Sequence, residues 1–225
     1  MIYVINKKRG IEKIIKDYPN ADILDITSSS DKRYARLLSP FYPHGNIPIP
    51  NTPSIKATCV EAVWQGLKVF ENYDVDVNMF NNDTMRNLKR TVRKYGKPLG
   101  HRYGVYSNRI LGYFEARMLI YLPTYKYVLD NIPEVRNIIE KIRERAKENT
   151  VLLLDYNTNT DYRDITKPLS HAELVKLYIE DTYPVFSENI QPLTSEELKK
   201  KKQNDKAMKK QLKTMTNKPP TLFDI

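Results

Sequence analysis

The sequence predicts an α+β fold, predominantly helical, in which a small N-terminal strand-helix-strand segment precedes one main domain and a basic tail follows it. Apolar residues recur at helical spacing through most of the chain, and strand-like apolar runs are short and few. After Pro192 the composition turns to Lys, Gln and Asn with few aliphatics. The expected divisions are 1–36, 37–191 and 192–225.

Tyr3-Val4-Ile5 is apolar and largely β-branched, Ile11, Ile14 and Ile15 follow at helical spacing, and residues 21–26 are again mainly apolar, with Ala21, Ile23, Leu24 and Ile26. The intervening turn has Gly10 alone rather than a G-x-G-x-x-G run, so no dinucleotide-binding crossover is supported. Residues 39–54 contain five prolines, which fix φ and withhold donors, and predict a rigid irregular loop of the kind that lines sites. A helix is expected over 57–71 with Val60, Val63, Trp64, Leu67 and Phe70 as its apolar stripe. A second starts near Asn82-Asp83-Thr84, with Arg86, Lys89, Arg90, Arg93 and Lys94 interleaved among its apolar positions. Further helices are read over 107–122, stopped by Pro123, and over 133–147. Val151 to Leu154 form a wholly apolar strand leading into the polar turn Asp155-Tyr156-Asn157-Thr158-Asn159, and the final body helix, 170–183, opens with Ser170 and Glu173 at capping-box spacing.

The 225 residues hold 37 Lys and Arg against 27 Asp and Glu, a net charge of +10, which suggests a polyanionic partner. Half of that surplus lies beyond Pro192, where a flexible Lys-rich tail is expected. No run approaches the roughly 20 apolar residues of a membrane span, and the N-terminus lacks the succession of a secretory signal, so a cytoplasmic protein without a membrane partner is expected. Cys59 stands alone, which excludes an internal disulfide and a thiolate metal cluster. His44, His101 and His171 are scattered without metal-binding spacing. No metal and no cofactor are expected.

Glu61, Gln65 and Lys68 fall at i, i+4 and i+7 of the 57–71 helix, which puts carboxylate, amide and amine on one face beside Trp64, the single tryptophan. The spacing fits either a surface polar row beside a core tryptophan or a site. The row directly follows the proline-rich loop.

Leu38-Ser39-Pro40-Phe41-Tyr42-Pro43, followed by Val60-Glu61-Ala62-Val63-Trp64-Gln65-Gly66-Leu67-Lys68, resembles the loop and helix of the NADAR family, with glutamate, glutamine and lysine in register. Ala62 stands where that family usually has histidine. The segments 88–99 and 154–162 are similar to the family's later arginine-bearing and acid-asparagine-aromatic segments, although Arg163 and Asp164 replace a tryptophan and glycine. The resemblance covers roughly residues 37–180. It implies an N-glycosidase that cleaves a ribose C1′–N bond, either in ADP-ribose carried on guanine in nucleic acid or in a related nucleotide.

Those residue types suit the chemistry. Glu61 can stabilise positive charge growing on the ribose and orient water, and Lys68 can form a Schiff base with a ring-opened sugar; both routes stay open. Trp64 or Tyr42 would stack on a base, Arg90 and Arg93 would pair with phosphates, and Asp155 with Asn159 would hold ribose hydroxyls, with Gln65 and Tyr162 completing the site. The plainer readings are a solvated face for Arg90 and Arg93 and a turn-forming role for Asp155. A different class of function also fits, a catalytically silent protein that binds a nucleotide or nucleic acid.

The extreme C-terminus places Leu222 and Phe223 on a polar segment with no core to receive them. This resembles the short peptides by which replication proteins, phage ones included, dock on sliding clamps, and would raise the enzyme's local concentration on DNA. The alternative is a tail that folds back on its own domain.

Overall fold

A computed structural model describes the backbone of residues 1–214 and the side chains through 204. Leu222 and Phe223 lie outside the described residues. In chain order the first elements are β1 (Ile2–Asn6), α1 (Ile11–Asp17), β2 (Asp22–Asp25), α2 (Arg33–Arg36), β3 (Ile47–Ile49), β4 (Thr52–Ala57), α3 (Val60–Gly66), β5 (Lys68–Phe70) and α4 (Val92–Tyr95). Then come β6 (Pro98–Arg102), β7 (Ile110–Leu111), α5 (Tyr113–Ala116), α6 (Leu122–Asn131), α7 (Pro133–Glu148), β8 (Val151–Asp155), α8 (His171–Ile179) and α9 (Ser195–Thr214). The α+β class, more helical than stranded, is as the sequence predicts. No helix among the described residues is long and apolar enough to cross a membrane.

The chain divides into two compact units: one gathers residues 1–35, 137–183 and, among the described residues, 189–214, the other 36–136 and 184–188, so one division falls within a residue of the expected boundary at 36 while the expected 37–191 body is split after 136. In the first unit β1 and β2 do not pair with each other. Both run parallel to β8, which lies between them, with Ile2 opposite Val151 and Asp22 opposite the same residue on the other side. All five residues of β8 are buried, as a central parallel strand requires. Ile5, Ile14, Tyr18, Ala21, Leu152 and Leu154 form a core cluster of the unit.

Helix α8 is capped as its sequence predicts, the Glu173 amide donating to Ser170 Oγ at 3.3 Å, but it ends at Ile179 rather than at 183. The expected flexible tail is helical through Thr214. Thr194 and Glu197 make a reciprocal cap, and Lys201 Nζ donates to the side chains of Asn159 at 2.6 Å and Asp164 at 2.8 Å. Those contacts supply what the sparse apolar pattern of α9 does not.

In the second unit the proline-rich loop holds the antiparallel pair β3–β4, turned at Asn51 with φ of 56°. A second antiparallel sheet runs β5-β6-β7. The helix expected over 57–71 is shorter. Cys59 caps it through its thiol, accepting from the Ala62 amide at 3.3 Å, and it stops at Gly66 because Val69 and Phe70 are buried in β5 instead. The helix expected from 82 is a 3-10 turn at Val77–Asn81 followed by irregular chain, with only Val92–Tyr95 helical. Pro123 does not end its helix. Arg117–Tyr121 widens into a π turn that joins α5 to α6, a bulge that accommodates a proline unable to donate to the preceding turn.

Candidate functional site

The site is built in the second unit, where α3, β5 and the extended chain before α4 meet. Glu61 lies in the first turn of α3, and its amide donates to the Pro40 carbonyl at 2.9 Å, which joins the Ser39-Pro40-Phe41-Tyr42-Pro43 loop to the start of the helix. Ser39 is buried, and its Oγ accepts from the Phe41 amide at 3.3 Å. Tyr42 is half-buried with its ring 4.9 Å from that of His44.

Gln65 organises the center of the site. Its Nε2 donates to Glu61 Oε1 at 2.7 Å, and its Oε1 accepts from Lys68 Nζ at 2.8 Å and from the Arg90 amide at 3.0 Å. The Arg90 N–H can only donate, so it fixes which end of the carboxamide faces Lys68. Carboxyl, amide and amine therefore form one relay, as the spacing predicts, but Lys68 is the first residue of β5 and reaches back to α3 across the helix end.

Burial dominates the electrostatics. It raises the Glu61 carboxyl above the ordinary glutamate range, against the bond from Gln65 and the charges of Lys68 and Lys89. It lowers the Lys68 ammonium, with Arg90 and Lys89 adding to the effect and Glu61 opposing it. The two groups are thus drawn toward each other's titration range, an arrangement that recurs where one residue gives a proton and another takes one.

Arg90 is buried, and its guanidinium donates to the carbonyls of Lys68 at 2.6 Å, Gln65 at 3.4 Å and Asp74 at 2.9 Å. Its plane lies over Phe70 and Tyr95, 4.8 and 5.0 Å from the ring centroids. The expected phosphate fork is turned inward as a clamp on the site's backbone. Arg93 is exposed on α4. Trp64 is also committed: its ring lies 3.8 Å from that of His101, and Tyr113 and Tyr121 meet it edge-on at 5.9 and 5.6 Å.

Asp155, Asn159 and Tyr162 belong to the first unit. Asp155 Oδ2 accepts from Ser170 Oγ at 2.7 Å and lies 3.0 Å from His171 Nδ1. Asn159 is buried, donates to the carbonyls of Asp164 and Lys167, and accepts from the Asp161 amide and Lys201. The expected ribose-binding role is replaced at both positions by bonds that hold the turn after β8. Tyr162 is half-buried in the same turn.

Three residues escaped the sequence reading. Lys89 is an electrostatic neighbour of both Glu61 and Lys68. His101 lies directly across from Lys68 in the β5–β6 register; burial and that ammonium push its imidazole down to about 3, so it is neutral. Neither of its ring nitrogens meets hydrogen-bond geometry, an electrostatic contact with the Trp64 main chain apart. Arg117 is buried in the π turn and donates to Tyr113 OH at 3.1 Å. An arginine beside Met118, Leu119 and Ile120 was the one available signal. Cys59 is chemically quiet, since burial raises its thiol to about 11. Among the described residues no three His, Cys, Asp or Glu side chains converge as a metal site requires.

No curated protein matches the sequence. Nothing in the comparisons links it to NADAR. One family model does match, over residues 6–175, a range that takes in the relay, the Arg90 clamp and the Asp155 turn together. By that match the chain belongs to the family of unknown function DUF6939.

Proposed function

We propose that the protein is an N-glycosidase that cleaves a ribose C1′–N bond in a nucleotide or in ADP-ribosylated nucleic acid, with Glu61 and Lys68 as its catalytic pair. The observation that carries this reading is the buried relay from Glu61 through Gln65 to Lys68. The electron pair of the C1′–N bond leaves with the nitrogen, which takes a proton, while the oxygen of water bonds to C1′ and gives up its own proton. A carboxyl raised by burial serves as the proton donor and then, as carboxylate, as the acceptor. A lysine whose ammonium is lowered has more of the free amine needed to attack C1′ of a ring-opened sugar. Gln65 holds both groups at hydrogen-bonding distance in either route.

A second reading, a binding protein without turnover, is favoured by Ala62, which is completely buried where the resemblance would place a histidine. Incubation with ADP-ribosylated guanine DNA and with a free ribosylated nucleotide, following released ADP-ribose or ribose by mass spectrometry, separates the two. Glu61→Gln should reduce turnover by about 10²- to 10⁴-fold while ligand still binds. Borohydride trapping then distinguishes the routes, an adduct on Lys68 marking the amine route. Ligand binding by the unaltered protein without release of product on either substrate would leave the silent binder.

A further inference from the structure

Between Asp83 and Glu115 the sequence holds eight Lys and Arg and no carboxylate. Three of these have internal duties: Arg90 clamps the relay, Arg102 pairs with Asp74 at 2.5 Å and Arg109 pairs with Glu115 at 2.7 Å. The other five, Arg86, Lys89, Arg93, Lys94 and Lys97, are exposed and enter no ion pair among the described residues. Lys89 has Glu61 as an electrostatic neighbour, but cations concentrated in one stretch repel one another, and an anionic partner would relieve that repulsion.

Lys94 and Lys97 line a surface cleft of about 530 Å³ together with Tyr73, Tyr95 and Leu99, and one carboxylate, that of Glu71, also lines it. The volume lies within the ~300–1,000 Å³ of small-ligand clefts. The two tyrosine rings stand 5.0 Å apart at 75°, an edge-to-face corner in which Tyr95 is backed by Phe70 at 5.4 Å and Tyr73 is the exposed ring. Tyr73 is 48% exposed and Leu99 62%. Lys94 Nζ lies 5.1 Å from the Tyr95 ring centroid but, like Lys97, has no ion pair among the described residues; large apolar side chains left in water beside such lysines fit a partner that brings both π-faces and negative charge. The corner also joins the relay: the Tyr95 ring stacks on Arg90, whose amide fixes Gln65.

We infer that the Tyr73–Tyr95 corner, with Lys94 and Lys97 lining it and Arg93 next to Lys94 on α4, is a docking surface for single-stranded nucleic acid, an unpaired base resting on the exposed Tyr73 ring and the phosphates meeting the cations. This rests on the proposed function only in naming a strand, rather than a free nucleotide, as the bearer of the scissile sugar. The surface itself is testable without turnover.

The test is fluorescence anisotropy of a labelled unmodified 15-mer of oligo-dT, titrated with the full chain between 50 and 200 mM NaCl. With three phosphate contacts, one for each of Arg93, Lys94 and Lys97, log K should fall against log salt with a slope of about −2. The triple variant Arg93→Ala, Lys94→Ala, Lys97→Ala should weaken binding and make the slope shallower by about 2. Tyr73→Ala should weaken binding by about 5- to 150-fold at nearly unchanged slope. Unaltered circular dichroism and Tm establish that these exposed substitutions leave the fold intact. No binding at 50 mM NaCl, equal binding by the triple variant, preference for a 15-bp duplex, or equal competition by polyglutamate would each overturn the assignment. Turnover of a free nucleotide without strand binding would refute this surface and leave the glycosidase reading standing; strand binding without turnover would do the reverse.

Discussion

Replacing Asp155 with Asn tests whether the acid at the end of β8 supports the fold or holds a ligand. His171 lies between two acceptors, with Nδ1 3.0 Å from Asp155 Oδ2 and Nε2 3.0 Å from the Ile26 carbonyl. Both nitrogens must carry a proton to use them, so the ring is an imidazolium paired with a carboxylate in a buried setting. Burial opposes both charges, yet the pairing prevails: Asp155 is lowered to about 2 and His171 is raised above the ordinary histidine value. For Asp155 the displacement from 3.8 to about 2 corresponds to an effect on the order of 2 kcal/mol. Asp155→Asn also strands a buried cation, so the expected loss is larger, about 3–5 kcal/mol, or about 6–20 °C in Tm for a chain of this size. Because the aspartate is depressed, its contribution is present above about pH 4 and fades as pH falls toward 2. Because the histidine is raised, its contribution is complete below about pH 6.5 and fades as pH rises through its folded value. Thermal unfolding of the two proteins by circular dichroism should therefore differ most between about pH 4 and 6.5 and converge on either side. A difference below about 2 °C, or one that ignores pH, would refute the structural role, and an unchanged Tm with a raised KM would restore the ribose-binding one.

Gly66→Ala places a Cβ 2.3 Å from Cε1 of Phe80, a ring that is 1% exposed and has no room to swing. It should cost about 1–3 kcal/mol despite the helix propensity of alanine, read as a lower denaturant midpoint, and trimming the ring with Phe80→Leu in the same chain should recover much of the loss. Lys201→Ala removes the donor shared by buried Asn159 and Asp164, and should speed hydrogen exchange of amides 195–204 at least tenfold. Lys200→Ala, on the same helix but exposed, should leave that exchange unchanged, and equal effects of the two would remove Lys201 from its role as the peg of α9.

What could be read in advance depends on how local each feature is. An uninterrupted apolar run bounded by polar turns marks β8, because burial on both faces leaves no alternation to detect. Ser170 and Glu173 mark the start of α8 because a cap is settled within four residues. Glu61 and Gln65 meet at i, i+4 as helical geometry dictates. Lys68 illustrates the limit: it joins Gln65 as expected, yet the helix ends at Gly66, and the long side chain reaches the same partner from a strand. Where the fold turns on pairing across many residues, composition misleads. Arg90 looks like one cation of an amphipathic helix, but 25 residues from Gln65 its main chain docks against that amide and both terminal guanidinium nitrogens donate to carbonyls. His101 looks isolated until the β5–β6 register sets it opposite Lys68, and nothing near either residue encodes that register. A lysine in water would keep its ordinary ammonium; this one is depressed because distant segments enclose it and bring Arg90 and Lys89 close. The residue types of the site are thus local information, whereas the reactivity that the proposed chemistry needs is created by contacts that only the folded chain supplies.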